Sequence, residues 1–367
     1  MSAITIGGDL VHYEVLGRGR SVVLLHGWVG SWRYWVPTMQ HLHLKYKVYA
    51  LDLFGFGDSA KNLRRYTFDE QVRMVIDFLY QLQLKKVALI GHGLGAWVAA
   101  ELARRTPEMV ARMLLISAPL FAPDNLTSRV MPPARRVTKP LGRLAVPDAA
   151  DKTIYNATGL RPDTPLASLG KSGYSDNPIP RPIHPMHAES SDPTIPNARL
   201  INRAKLEEAA AAAKRNIIPT AQQMNEDNPL FKLLVNQEPA ALLNRTVKRT
   251  DQHYEKLVQD VSRTDSRALS QIAAYYDAGT ALDAVRVLPM PVMLVHGTAD
   301  PLIPQPVEAV WNYLTQDKDN LCVPIPLNAG HFPMYEYDAF PRLLNGFLDE
   351  PDISKLEIKE RWRRRSR

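Results

Sequence analysis

The feature that most constrains the fold is an alternation of short apolar runs with helical patterns over the first 118 residues. Continuous runs of β-branched and aliphatic residues are typical of parallel strands that are covered on both faces. The predicted strands are Leu10–Val15, Ser21–Leu25, Lys47–Leu51, Val87–Ile90 and Met113–Ile116, and the predicted helices are Phe68–Leu82 and Gly95–Arg105. This order predicts an α/β protein with a mostly parallel central sheet and helices on both faces.

The alternation stops after Ala118 and resumes near Pro291, which indicates a large insertion. We predict a core of residues 1–118 and 287–350, a mainly helical cap of residues 119–286 and a basic tail of residues 351–367. The first half of the cap has eight prolines between Pro162 and Pro196, a composition typical of irregular chain. Helical patterns follow at Ala198–Asn216, Gln252–Val261 and Ser266–Tyr276, and the core resumes with strands Val292–Val295 and Leu321–Ile325 and helices Val307–Leu314 and Phe340–Leu348.

The net charge of +7 is concentrated at the C-terminal end, where residues 355–367 carry seven Lys or Arg against two Glu. The rest of the chain has a net charge of only +2, so no nucleic-acid partner is expected, although the tail could contact an anionic surface. The single cysteine, Cys322, excludes a disulfide within the chain, and the first residues lack the pattern of a signal peptide. Since no apolar stretch approaches about 20 residues, the sequence predicts no membrane span and a cytoplasmic protein.

Four short motifs each follow a predicted strand, where loops at the carboxyl ends of parallel strands build ligand sites. They are His26-Gly27-Trp28, the segment from Asp52 to Ser59 with its two glycines, Gly91-His92-Gly93-Leu94-Gly95, and the pair Gly297-Thr-Ala-Asp300 and Gly330-His331. Each motif alone is a weak signal, because glycine after a strand is also a plain tight turn. Their occurrence together, in this order, is far more specific.

With these motifs the chain resembles the α/β-hydrolase superfamily over residues 8–118 and 289–348. In that superfamily a strand, a sharp turn and a helix form a nucleophile elbow of pattern Gly-x-Ser-x-Gly, and the partners follow in the order nucleophile, acid, histidine. The resemblance implies that Asp300 is the acid and that His331 is the catalytic histidine. It also implies that the backbone amides of Trp28 and Leu94 form the oxyanion hole.

The elbow departs from the family pattern because Gly93 stands at the nucleophile position, where serine is expected. Covalent catalysis needs a side-chain nucleophile beside a general base, so an acyl-enzyme cannot form at this position. Both flanking glycines, Gly91 and Gly95, are kept. Glycine tolerates unusual dihedral angles at little cost, so the fold is expected to survive the replacement.

Other residues near the motifs are assigned with an alternative left open. Trp32, Trp35 and Trp97 are candidates for lining an apolar substrate pocket, with core packing as the alternative. His92 is expected to pack beneath the turn rather than to act in catalysis. No cofactor and no metal are predicted, because the elbow lacks the third glycine of a dinucleotide fingerprint and the loop histidines at 184 and 187 have no Cys or carboxylate at metal spacing.

Three interpretations of function follow from the missing serine. In the first, the chain is an enzyme related to cofactor-free hydrolases of small apolar esters, and His331, oriented by Asp300, acts as a general base. In the second, it is an inactive hydrolase-fold protein that binds a small apolar ligand or a protein partner. In the third, Gly93 is an experimental replacement of serine. The sequence alone does not choose among them.

Overall fold

The central sheet has eight strands within the described residues, which in this computed structural model are 2–129, 228–322 and 327–350. The strands are β1 (Ser2–Ile6), β2 (Asp9–Gly17), β3 (Arg20–Leu25), β4 (Tyr46–Leu51), β5 (Val87–His92), β6 (Val110–Ile116), β7 (Val292–Val295) and β8 (Leu321–Cys322). Their order in the sheet is β1-β2-β4-β3-β5-β6-β7-β8. Strands β1 and β2 pair antiparallel with their neighbours, and all pairs from β4 to β8 are parallel.

Helices cover the sheet and extend beyond it. Those described are α1 (Val36–Leu42), α2 (Phe68–Gln81), α3 (Leu94–Arg105), α4 (Pro229–Leu234), α5 (Pro239–Thr246), α6 (Tyr254–Val261), α7 (Ser266–Ala273), α8 (Ala278–Arg286), α9 (Glu308–Thr315), α10 (Pro333–Glu336) and α11 (Phe340–Asp349). The predicted fold class, an α/β-hydrolase fold with a mostly parallel sheet and a helical insertion, is confirmed. Strand β1 and helices α1, α4, α5, α8 and α10 were not predicted.

Parallel pairing brings the site-bearing loops to one edge of the sheet. Leu25 at the end of β3 pairs with Gly91 in β5, and Ile116 at the end of β6 pairs both with His92 and with Val295 at the end of β7. The chain segments that follow these strands therefore leave the sheet side by side. Long-range pairing of strands thus collects motifs that lie far apart in the sequence.

Helix α3 is the buried helix that supports this edge. Every residue from Leu94 to Ala103 is buried, and small residues predominate along it, so the helix packs closely on β5, β6 and β3. Arg104 and Arg105 lie in its last turn, where positive charge stabilises the negative end of the helix dipole. The start of α3 is therefore held rigidly at the carboxyl edge.

Residues on either side of α7 contact the segments that follow β4 and β6. The amide of Asp265 donates to the carbonyl of Gly55 at 2.8 Å, and the Tyr276 hydroxyl donates to the carbonyl of Pro119 at 2.5 Å. The predicted cap, residues 119–286, is joined to the core by the first of these hydrogen bonds. Its boundaries stay a prediction, because the proline-rich segment and the predicted helix Ala198–Asn216 lie outside the described residues, as does the tail of residues 351–367. Within the described ranges no helix is long and apolar enough to cross a membrane.

Candidate active site

The turn between β5 and α3 is a sharp strand-to-helix turn centred on Gly93. This residue has φ 51° and ψ −109° and is the N-cap residue of α3. Its amide donates to the carbonyl of Ile116 at 2.9 Å, and its carbonyl accepts the amide of Trp97 at 3.2 Å. Residues with a side chain are strained at these angles, whereas glycine adopts them at little cost. The backbone therefore has the shape of an elbow although the residue carries no nucleophile.

A small side chain would fit on residue 93 after slight adjustment. An ideal Cβ there would lie 3.2 Å from Cδ1 and 3.4 Å from Nε1 of Trp28, and 3.5 Å from Cα of Gly27. The first distance is tight, so the indole of Trp28 would have to shift slightly, whereas the other two are ordinary contacts. Serine is therefore sterically compatible with this turn.

His331 and Asp300 lie at hydrogen-bond distance. Nδ1 of His331 is 2.9 Å from Oδ2 and 3.1 Å from Oδ1 of Asp300, and both side chains are fully buried. Because a carboxylate only accepts hydrogen bonds, Nδ1 carries the proton and donates it. Nε2 then has a lone pair, and it has no hydrogen-bond partner among the described residues. An imidazole in this tautomer can act as a general base.

Asp300 remains ionised in spite of its burial. Burial raises the pKa of a carboxyl, but the nearby His331 and two backbone amides outweigh it, and the net effect lowers the pKa of Asp300 well below its usual value. The amides of Leu302 and Ile303 donate to Oδ1 at 2.8 and 3.0 Å. A carboxylate held in this way orients His331 and stabilises the imidazolium that forms when Nε2 takes a proton.

Gly297 allows the loops that carry Asp300 and His331 to approach closely, and Glu336 fixes the backbone around His331. A Cβ on Gly297 would lie 2.1 Å from the carbonyl oxygen of Gly330, so only glycine permits this approach. Glu336 in α10 accepts the amide of Gly330 at 2.6 Å and that of Phe332 at 3.0 Å. It thereby fixes the backbone on both sides of His331. Sequence reasoning missed Glu336, because no local pattern marks a carboxylate that reaches back to a preceding loop.

His92 is part of a buried chain of hydrogen bonds beneath the elbow. The amide of Gly27 donates to the Tyr34 hydroxyl at 2.5 Å, the hydroxyl donates to Nδ1 of His92 at 2.9 Å, and Nε2 of His92 donates to the carbonyl of His331 at 2.8 Å. Burial, together with the nearby His331, lowers the pKa of His92 well below its usual value. His92 is therefore neutral and positions the backbone of His331, in line with the structural role expected for it.

The predicted oxyanion donors lie in two segments that are tied together beside the elbow. The amide of Gly95 donates to the carbonyl of His26 at 3.0 Å, which fastens the start of α3 to the loop that carries Trp28. Within the described part of the chain, the amides of Trp28 and Leu94 donate to no other group. Two amides available next to the turn are what an oxyanion hole requires. Their role stays a prediction.

The three candidate substrate-binding tryptophans lie in different surroundings. Trp35 is fully buried in the core, with its ring 5.0 Å from that of Tyr34. Trp32 is partly exposed and lies 5.8 Å from the ring of His12. Trp97, one turn into α3, stacks on Phe68 at 3.6 Å. Trp35 and Trp97 belong to the hydrophobic core and Trp32 packs against it, so the alternative of core packing stays open and their role in substrate binding stays a prediction.

Ser117, which sequence reasoning passed over, is a buried hydroxyl at the carboxyl edge. It follows β6 directly and has φ 46°, an unusual value for a residue with a side chain. Its amide donates to the carbonyl of Val295 at 2.8 Å, and its Oγ has no hydrogen-bond partner among the described residues. Its strained backbone was the only signal, and a sequence does not reveal φ. A test of catalysis must therefore also examine the Ser117 hydroxyl as an alternative nucleophile.

A second polar cluster joins β2 to the loop after β4. The ligand atoms of His12, Asp52 and Asp58 all lie within 4.8 Å of one another, a grouping that could hold a metal ion. Both oxygens of Asp58 are paired with guanidinium groups, Arg33 at 2.7 Å and Arg263 at 2.5 Å. Two positive charges so close oppose the binding of a cation. The arrangement is better explained as a network of ion pairs that joins α6 and its flanking residues to the core.

Asp260 in α6 is the most perturbed member of this region. It is almost fully buried, its Oδ1 has no hydrogen-bond partner among the described residues, and Nη1 of Arg33 is 3.7 Å away. Burial raises the pKa of Asp260 to about 6, although Ser31 and Arg33 favour the ionised form. Asp260 therefore changes charge near neutral pH.

Comparison with known proteins supports the fold. Residues 20–148 match the family model described as alpha/beta hydrolase fold. A stretch of 115 residues is 36% identical to the dihydrolipoyllysine-residue acetyltransferase component of an acetoin cleaving system from Pseudomonas putida, covering 31% of this chain and 31% of that protein. A stretch of 116 residues is 33% identical to a pimeloyl-[acyl-carrier protein] methyl ester esterase from Aliivibrio fischeri, covering 31% and 43%. The chain thus spans less than half the length of these relatives.

Solved structures extend the likeness over most of the chain. A serine-to-glycine mutant of an N-acyl homoserine lactonase, complexed with N-hexanoyl homoserine lactone, superposes with a TM-score of 0.57 at 18% identity, covering 95% of this chain and 97% of that one. An identity this low shows the fold alone. The described residues therefore have the α/β-hydrolase fold, and residues 20–148 match the family model of that fold.

Proposed function

We propose that this protein hydrolyses small apolar esters or lactones by general-base catalysis, without an acyl-enzyme. The observation that carries the proposal is the buried His331–Asp300 pair, whose Nδ1 to Oδ2 distance is 2.9 Å and whose Nε2 has no partner among the described residues. Such a pair beside an elbow without a nucleophile supplies a base for water instead of a base for serine. Esters and lactones are chosen because one curated relative is a methyl ester esterase and one structural neighbour is a lactonase.

The proposed reaction begins with attack by water on the ester carbonyl. Nε2 of His331 takes a proton from the water while its oxygen forms a bond to the carbonyl carbon, and the π electron pair moves to the carbonyl oxygen. The amides of Trp28 and Leu94 donate to that oxyanion. The tetrahedral intermediate then collapses, the bond to the alkoxide breaks, and His331 returns the proton to the leaving oxygen. One ester and one water give one carboxylic acid and one alcohol.

The first prediction concerns Gly93→Ser. We expect slow hydrolysis of p-nitrophenyl acetate and butyrate by the unaltered protein, without a burst, and a gain of up to several orders of magnitude in Gly93→Ser. The basis is that loss of the serine nucleophile costs a serine protease about 10⁶ in turnover. Stopped-flow release of nitrophenol and mass spectrometry of trapped acyl-enzyme measure both effects. A folded Gly93→Ser protein without added activity would show that the base and the oxyanion donors are not in place.

Two further variants identify the base and test for a hidden nucleophile. With Gly93 kept, His331→Ala should abolish hydrolysis, because no other base faces the elbow in the proposed mechanism. Ser117→Ala should leave it unchanged, and a loss there, together with a burst in the unaltered protein, would reassign the reaction to an acyl-enzyme on Ser117. The three variants thus separate water attack from serine attack.

A second candidate function is ligand binding without turnover. It is favoured by Gly93 itself, since a fold that lacks its nucleophile can still enclose a ligand. A serine-to-glycine mutant of a lactonase with this fold was solved in complex with a lactone. Calorimetric titration with N-hexanoyl homoserine lactone, followed by product analysis, decides between the two. Retained affinity but lost turnover in His331→Ala indicates an enzyme, whereas binding without turnover in both forms indicates a binding protein.

A further inference from the structure

We propose that the indole N–H of Trp28 binds the attacking water beside Gly93, so that Trp28 serves the reaction through its side chain as well as through its backbone amide. This inference rests on the proposed function and names how that function positions its nucleophile. Two other polar side chains in the loops after the strands are already engaged, His92 within its hydrogen-bond chain and Asp58 with two guanidinium groups.

Trp28 has a buried donor that lacks an acceptor. The side chain is fully buried, and its Nε1 has no hydrogen-bond partner among the described residues. An unpaired buried N–H is costly, so such groups are normally satisfied by protein or by bound water. A ligand or a water at this point would remove that cost.

The donor of Trp28 lies beside the position of the missing nucleophile. Of the atoms around an ideal Cβ on residue 93, the two nearest belong to Trp28, Cδ1 at 3.2 Å and Nε1 at 3.4 Å. Trp32 and Trp35 also have a buried Nε1 without a partner, but neither is among the three atoms nearest to that position. The proximity is therefore specific to Trp28.

The complementary acceptor is Nε2 of His331. It is buried without a partner, and its lone pair is free because Nδ1 donates to Asp300. The ring of His331 lies 4.6 Å from that of His92, the residue before Gly93, so it too belongs to the surroundings of the elbow. A water can accept from an indole N–H and donate to an imidazole nitrogen at the same time, and a buried water needs two to four such partners. One water that reaches both orphan groups would have the two partners that it needs.

The proposal makes the importance of the indole depend on residue 93. With glycine, the attacking oxygen is a free water that must be held by hydrogen bonds. With serine, the attacking oxygen is attached to the backbone through a Cβ next to Trp28, so it stays in place without a hydrogen bond from the indole N–H. A double-variant cycle can therefore distinguish a water-binding role from a general structural one.

The test replaces Trp28 in both backgrounds. Trp28→Phe, and the isosteric β-(3-benzothienyl)alanine that lacks only the N–H, should lower kcat about tenfold with Gly93 present, with KM unchanged. The same changes in Gly93→Ser should lower kcat less than about twofold. An equal loss in both backgrounds would mean that Trp28 only supports the fold, and no loss in either would mean that its N–H does not meet the nucleophile. Both results overturn the proposal.

A second readout does not depend on activity. In protein labelled with ¹⁵N-tryptophan, the indole N–H signal of Trp28, assigned by its loss in Trp28→Phe, should show magnetisation transfer from a bound water and should shift in Gly93→Ser. Water contact without turnover would refute the proposed function and leave the water site standing. Turnover without water contact at Trp28 would refute the water site and leave the function standing.

Discussion

At the scale of single residues, position 93 combines an unusual backbone conformation with a residue that has no side chain. Its φ of 51° is one that a residue with a side chain adopts only under strain, so glycine avoids that strain and supplies no nucleophile. The energy involved can be measured apart from any catalytic effect.

The second prediction is that Gly93→Ala destabilises the protein by about 1–3 kcal/mol, the usual cost of a strained backbone conformation. Part of this arises from the contact of the new Cβ with Trp28 at 3.2 Å. The free energy of unfolding in urea measures the effect. Gly8→Ala is the matched control, because Gly8 also has a positive φ, 89°, but nothing lies within 4 Å of its Cβ position. A larger loss at Gly8 than at Gly93 would mean that residue 93 is not constrained.

Single residues also mark how far the sequence could predict the site. Gly93, Asp300 and His331 were singled out because motifs that follow predicted strands resemble, in their order, the elbow, acid and histidine of α/β hydrolases. Glu336 and Ser117 were missed because their importance depends on contacts with distant loops or on a dihedral angle, neither of which leaves a pattern. Roles that rest on local pattern are predictable, and those that rest on tertiary contact are not.

At the scale of elements, the strands of the parallel core were predicted within a few residues, whereas several short or peripheral elements were missed. Strand β1 is a partly exposed edge strand without a continuous apolar run. A usable signal was present in Gly7 and Gly8, whose φ values of 56° and 89° form the turn of a two-residue hairpin. The short helix α4 is similarly marked by Asn228, whose side chain accepts the amide of Phe231 at 2.8 Å, and by Pro229 at its first position.

Helix α6 joins the core through ion pairs whose strength depends on pH. Arg33 and Arg263 both pair with Asp58, while Asp260 faces Arg33 at 3.7 Å, with Asp52 and Ser31 also nearby. The pKa of Asp260, about 6 in the folded protein, lies above the 3.8 of an unperturbed carboxyl. A raised pKa means that protonated Asp260 stabilises the fold at low pH, and that this contribution is lost as the pH rises through about 6.

The third prediction follows for Asp260→Asn, which cannot ionise. At pH 8 this variant should be more stable than the unaltered protein by up to about 3 kcal/mol, since one pKa unit corresponds to about 1.36 kcal/mol. The difference should shrink toward zero near pH 4. Urea unfolding at the two pH values measures it, with the exposed Glu255→Gln of the same helix as the control. A variant less stable than the parent at pH 8 would show that the ion pair with Arg33 outweighs the cost of burial.

At the scale of the whole molecule, the carboxyl edge of the sheet gathers buried histidines as well as the site. His26 accepts the amide of Leu53 at 2.9 Å, His92 donates to the carbonyl of His331, and His296 donates to the carbonyl of Ala118 at 2.9 Å. Burial is the main cause that lowers the pKa of all three, so they are neutral in the folded protein. These three histidines thus fix the loops through hydrogen bonds to the backbone while they stay uncharged.

These neutral histidines predict how the global stability changes with pH. In the unfolded chain each of these histidines has its ordinary pKa of 6.5. Below that pH the unfolded state therefore binds protons that the folded state does not bind. Stability from a lowered pKa is present above the unfolded value and is lost as the pH falls, at up to about 1.4 kcal/mol per pH unit for each histidine. The raised pKa of Asp260 changes stability with pH in the opposite direction, but it is one group and the histidines are three. The lowered pKa of Asp300 adds a further loss once the pH falls below about 3.8.

The fourth prediction is therefore a marked fall in the urea midpoint of the protein between pH 7 and pH 5. His296→Gln should make this fall shallower, because the amide still donates to the carbonyl of Ala118 but takes up no proton on unfolding. His41→Gln, at an exposed position, should leave the profile unchanged. A midpoint that stays constant from pH 7 to pH 5 would mean that the unfolded chain gains no protons over the folded one. In that case the histidines at the carboxyl edge would have to be charged in the folded protein, and a charged His92 could no longer accept the hydroxyl proton of Tyr34 that holds the elbow in place.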